Sequence, residues 1–152
     1  MKKYAKQFGL VLIVVLAVLV LLTVFRFVGT DNSLTRDMRD LWNLELPGGY
    51  AIAYRAATDT SLKDGGLRYH VLAYADEEGL AQWLDWGDGT QPARYADTCD
   101  LAAADILSAL NVPGGEWPDA DKVWYTSTDN GSELVVYYDE LLTQLYLIES
   151  CK

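Results

Sequence analysis

His70 is the only histidine of the chain, on a strand-like alternation that puts it on one face with Arg68, Leu72 and Tyr74. To serve as a general base it needs a nucleophile and an orienting carboxylate, and no G-x-S-x-G or similar frame surrounds it. With no second histidine or cysteine nearby, it does not make a zinc site. The 22 acids always allow a pair suited to glycoside hydrolysis, but spacing alone does not set two of them across a cleft. Residues 85–89, Asp-Trp-Gly-Asp-Gly, resemble a calcium turn without the alternating oxygen ligands and closing Glu of an EF-hand loop. Asp119 and Asp121 beside Trp117 read as a solvated loop, and no Gly-rich phosphate loop is present. No catalytic residue, metal ligand or cofactor site is expected.

Two other residue classes carry chemistry. The chain has five Trp and ten Tyr, and Trp83, Trp86, Trp117 and Trp124 fall around an expected helix–sheet junction. Such side chains either fill a small core or form an exposed surface for a protein or glycan partner. Cys99 and Cys151 are the only cysteines. In an oxidising compartment they can form one disulfide, worth roughly 4 kcal/mol for a loop of about 50 residues in the chain-entropy model. They form no C-x-x-C pair, so thiol-redox and metal roles are poorly supported.

What must hold these residues begins with a membrane span. From residue 8 to residue 25 only Gly9, Ala17 and Thr23 are not strongly apolar, and none is charged. Eighteen residues of helix cover about 27 Å, close to a bilayer's hydrocarbon thickness. A soluble core helix would show a polar face, and this one has none. The basic start and apolar run also suit a cleaved signal, but the run is long and residues 26–30 lack an A-x-A-like site. A retained signal anchor is expected. Lys2, Lys3 and Lys6 on one side are matched by Arg26, Arg36 and Arg39 on the other. Length breaks the tie, because a short basic tail stays inside while a long domain translocates largely regardless of charge.

The division that follows is a cytoplasmic basic tail (1–8), a transmembrane anchor (9–28), a juxtamembrane helix or linker (29–46) and an extracytoplasmic domain (47–152). The first 30 residues hold four basic residues and no acid, while the rest hold eight against all 22 acids. So acidic a domain offers no footprint to a polyanion, which argues against nucleic-acid binding.

Apolar spacing predicts a helix from Asp31-Asn32-Ser33 through Trp42, and strands at 50–58 and 67–75 with Tyr50, Ile52 and Tyr54 on one face. A helix is expected from Asp76 to the Gly-rich stretch at 87–89, and another over 97–110. The last third reads as strands at 122–128, 133–138 and 142–149. Leu46-Pro47-Gly48-Gly49 and Val112-Pro113-Gly114-Gly115 echo one another, as do Tyr74-x-Asp76-Glu77 and Tyr137-x-Asp139-Glu140; a duplication would make two α-β-β halves, but short motifs of common turn residues also recur by chance. The fold class is α+β: a transmembrane helix followed by a small antiparallel sheet of about five strands, with two to three helices on one face.

The function expected is that of a single-pass membrane protein whose acidic outer domain is a non-catalytic interaction or sensing module. The alternatives are a small membrane-tethered hydrolase using carboxylates and a structural subunit of a membrane complex.

Overall fold

The computed structural model describes residues 32–58, 65–86, 93–120 and 122–152, the side chains of residues 32, 93–99 and 101 excepted. The basic tail at 1–8 and the expected anchor at 9–28 lie outside the described residues, as do residues 29–31, 59–64, 87–92 and Asp121. Among the described residues no helix is long and apolar enough to cross a membrane.

Helix α1 (Asn32–Trp42) leads to the hairpin β1 (Tyr50–Ala57) and β2 (Gly66–Tyr74). A single helical turn α2 (Leu80–Trp83), helix α3 (Ala93–Ala109) and a 3-10 turn (Gly114–Glu116) follow. Strands β3 (Lys122–Ser127), β4 (Glu133–Asp139) and β5 (Gln144–Cys151) complete the chain. All neighbours pair antiparallel in the order β1-β2-β5-β4-β3, so the last strand is the central one. The last expected strand, 142–149, is present but displaced to Gln144–Cys151. Its apolar density comes from burial on both faces, where a strand loses its alternation.

The expectation of helices on one face is corrected by the packing. Leu34, Met38 and Trp42 of α1 and Leu80 of α2 meet Leu72, Leu134, Val136, Leu145 and Leu147 on one face. Ala103, Ile106 and Leu107 of α3 meet Tyr69, Val71, Val135, Tyr137 and Ile148 on the other. The chain is a three-layer α/β/α sandwich, and α1 is one of its layers. The core thus takes in residues 34–46, which the sequence sets apart as helix or linker.

Two further expectations shift. Ile52 pairs with Leu72 but Tyr54 pairs with Val71, so Ala53 is the extra residue of a bulge. Tyr50 and Ile52 therefore pack on the α1 side while Tyr54 packs on the α3 side. The helix expected from Asp76 is reduced to α2. Asp76 accepts the N–H of Glu78 in a turn, and Gly79 at φ 87° delays the helix to Leu80.

The two-half arrangement has a structural counterpart. Hairpins β1–β2 and β3–β4 flank β5, and the helix before each covers the opposite face. That is what an approximate half-turn about β5 requires. Leu46 and Tyr74 pack on the α1 face, and their echoes Val112 and Tyr137 pack on the α3 face. Both α1 and α3 are followed by a left-handed asparagine, Asn43 and Asn111, a conformation that ends helices by satisfying their last carbonyls.

Candidate functional site

Among the described residues the exposed large apolar side chains lie at the β4–β5 turn. The Asp139 carboxylate accepts the N–H of Leu142 at 2.9 Å, and Thr143 takes a positive φ of 53° to re-enter the sheet. This geometry turns two apolar side chains outward: Leu141 is 95% exposed and Leu142 60%. Exposed large apolar side chains placed together are informative in a way that single ones are not.

Beside the turn runs the loop that follows the 3-10 turn. Two bonds hold it against the sheet: the Tyr69 hydroxyl donates to the Glu116 carbonyl, and the Trp117 indole donates to the Val112 carbonyl at 3.0 Å. Between loop and turn lies a hollow of about 430 Å³, lined by Trp117, Asp119, Lys122, Tyr138, Glu140 and Leu142 among others. A second hollow of about 390 Å³ against α3 is lined by Asp100, Leu107 and Tyr137 and shares Trp117, Asp119 and Ala120 with the first. The two hollows adjoin across this shared loop, and together they make up the groove discussed below.

Its charge is one-sided. Asp100, Asp119, Asp139 and Glu140 line it, against Lys122 alone. Lys122 donates to Glu140 and lies 5.6 Å from the centre of the Tyr138 ring. At the far end Tyr137 donates to Asp100 at 2.7 Å. The phenols feel these acids. Burial first, then Glu77, Glu140 and Asp139, push the Tyr138 pKa upward. Burial first, then Asp139, Asp119 and Glu116, do the same for Tyr146. Tyr138 is 1% exposed and its hydroxyl has no hydrogen-bond partner among the described residues, where such a group usually finds one.

Of the four tryptophans singled out by sequence, three come together and one does not. Trp83 meets Trp86 edge-on at 6.2 Å, Trp86 meets Tyr138 at 5.5 Å, and Trp124 packs against the same α1-side core. Trp117 packs on the α3 side. Trp83 donates to the Glu45 carbonyl at 2.7 Å and Trp86 to the Leu80 carbonyl at 3.0 Å. Their polar edges staple loops to the sheet, so only Trp117 contributes to the groove.

Cys151 is a buried free thiol in the α1-side core, while the side chain of Cys99 lies outside the described residues. His70 is buried in β2, paired in register with Arg55 and Leu147. Among the described residues no three His, Cys, Asp or Glu side chains are grouped as metal ligands.

One cluster escaped sequence reasoning. Glu149 of β5 accepts from Arg68 of β2 and from the Trp42 indole, and Arg68 also donates to Asp37 of α1. The available signal was a charge at an inward position of each of two apolar strands. Comparison with protein families, with curated proteins and with solved structures finds no match for this chain.

Proposed function

We propose that the chain is a single-pass membrane protein whose acidic domain, held outside the cytoplasm, acts as a non-catalytic interaction or sensing module. The observation that carries this is the pair Leu141 and Leu142, left in water above an acid-lined groove while the other large apolar side chains among the described residues are buried or half-buried. Apolar surface beside placed charges is the chemistry of partner recognition. The buried links from Asp37 and Trp42 to Arg68 and Glu149 support a further feature, a module displayed rigidly from the helix that follows the apolar segment.

The test is protease shaving of intact cells carrying a C-terminal epitope. Loss of the epitope from intact cells is expected. Protection in intact cells with loss only after lysis would overturn the topology and with it the outward-facing role.

A further inference from the structure

We propose that the groove binds an extended basic segment of a partner protein, with lysine or arginine side chains among its acids and an apolar side chain against Leu141 and Leu142. This rests on the interaction reading above and names the partner's chemistry.

Two observations converge. The first is charge complementarity: Asp100, Asp119, Asp139 and Glu140 line two hollows that share a wall, with Lys122 the one base among their lining residues. Opposed potentials of this kind select partners and speed encounter. Second, the chain already shows how this corner takes a cation. The Lys122 ammonium is held between the Glu140 carboxylate and the face of Tyr138, the combination that favours cations at aromatic rings.

A peptide fits better than a sugar. The Trp117 ring is half-buried and its N–H is taken by Val112, so the groove lacks the open indole platform on which a pyranose stacks. Exposed leucines suit an aliphatic side chain.

The experiment uses the full chain in zwitterionic nanodiscs, with empty discs as blank. The probe is a fluorescein-labelled octapeptide, Lys-Leu-Lys-Ser-Lys-Leu-Lys-Ser, read by anisotropy. The groove variant is D100N/D119N/E140Q, which keeps side-chain shape and the acceptor for Tyr137. The control variant D40N/E45Q/D129N removes the same number of charges from the rest of the surface. The groove variant is expected to weaken binding about tenfold and flatten its salt dependence, with the control within about twofold of wild type. L141S/L142S is expected to weaken binding while keeping the salt dependence. Equal losses in both charge variants would show attraction to an acidic domain at large and overturn the site. Absence of binding to wild type, or displacement of the probe by chitohexaose, would overturn it as well. None of these readouts depends on which side of a membrane the domain occupies, so they stand apart from the shaving result.

Discussion

Glu149, with no exposed side-chain surface, accepts both Nε and Nη2 of Arg68, the latter at 2.7 Å. The fork-on-carboxylate geometry ties the central strand to its neighbour. Trp42 donates to the same carboxylate at 2.8 Å, and Asp37 accepts the remaining arm of Arg68 at 2.8 Å, so α1 is fastened at two points. Burial alone would lower the Arg68 pKa, but the bonds and charges of Glu149 and Asp37 outweigh it and raise the value.

Glu149→Gln is therefore expected to destabilise the domain by about 3–5 kcal/mol, because it leaves a buried guanidinium without its counter-charge. Replacing both partners, R68M/E149L, is expected to recover most of that loss. About 1–2 kcal/mol remains for the Trp42 N–H, which then has no acceptor. Urea unfolding followed by tryptophan emission measures both. A Glu149→Gln midpoint equal to wild type would show that the pair contributes nothing.

Cys151 supplies a second check on the same region. Burial and then Glu149 push its thiol pKa up, with Arg68 pulling the other way, so little of the reactive thiolate forms at neutral pH. Native protein is expected to react slowly with a thiol reagent at Cys151, and Glu149→Gln to speed it by loosening α1. After unfolding without reductant, peptide mass analysis is expected to find Cys151 alkylated. Finding it blocked until reductant is added would establish the disulfide.

Much of the sheet was legible because period-two patterns and turn residues mark strands locally. The near-continuous apolar runs from Leu134 to Tyr138 and from Leu145 to Ile148, which the structure buries, also announced a sheet covered on both sides. Assigning the helices to one face overlooked that signal. The Ala53 bulge left no trace, since one extra small residue does not disturb composition, yet it sends Tyr54 to the other face. The groove was illegible for a different reason. Asp100, Asp119 and Glu140 are far apart in sequence and look like ordinary surface acids. Only the pairing of β3 with β4 and the packing of α3 bring them to one wall.

Thr143 offers a prediction on strain. A β-branched residue at φ 53° is held in a region that L side chains avoid. Asparagine tolerates that region, and the Thr143 carbonyl, which accepts the Tyr74 N–H at 3.0 Å, is unaffected by the exchange. Thr143→Asn is expected to stabilise the fold by about 0.5–1 kcal/mol, seen as a higher urea midpoint. Peptide binding in the groove is expected to persist, because the turn keeps its shape. A lower midpoint would mean that the threonine side chain contributes more than its backbone strain removes.

Tyrosine burial sets the alkaline limit of the fold. Burial first, then Tyr146, Glu116 and Tyr54, raise the Tyr69 pKa far above its ordinary value, and burial with Tyr50 does the same for Tyr74. Above the unfolded tyrosine pKa of about 10, the unfolded chain loses these phenolic protons while the folded chain keeps them. The unfolded state then binds fewer protons, so stability falls as pH rises. Full stability from these groups is present below about pH 10 and declines above it. Following absorbance near 295 nm, part of the tyrosine ionisation is expected to wait for the loss of tryptophan signal that reports unfolding. Tyr74→Phe removes one such proton and is expected to make the decline shallower, while leaving Pro47 without its side-chain donor. Tyr69→Phe is expected to do the same and also to release the loop at Glu116, which the Tyr69 hydroxyl holds. That second variant therefore tests two links at once, because a freed loop would also weaken peptide binding at Trp117 and Asp119. If ionisation were complete before unfolding began, neither tyrosine would be buried as described.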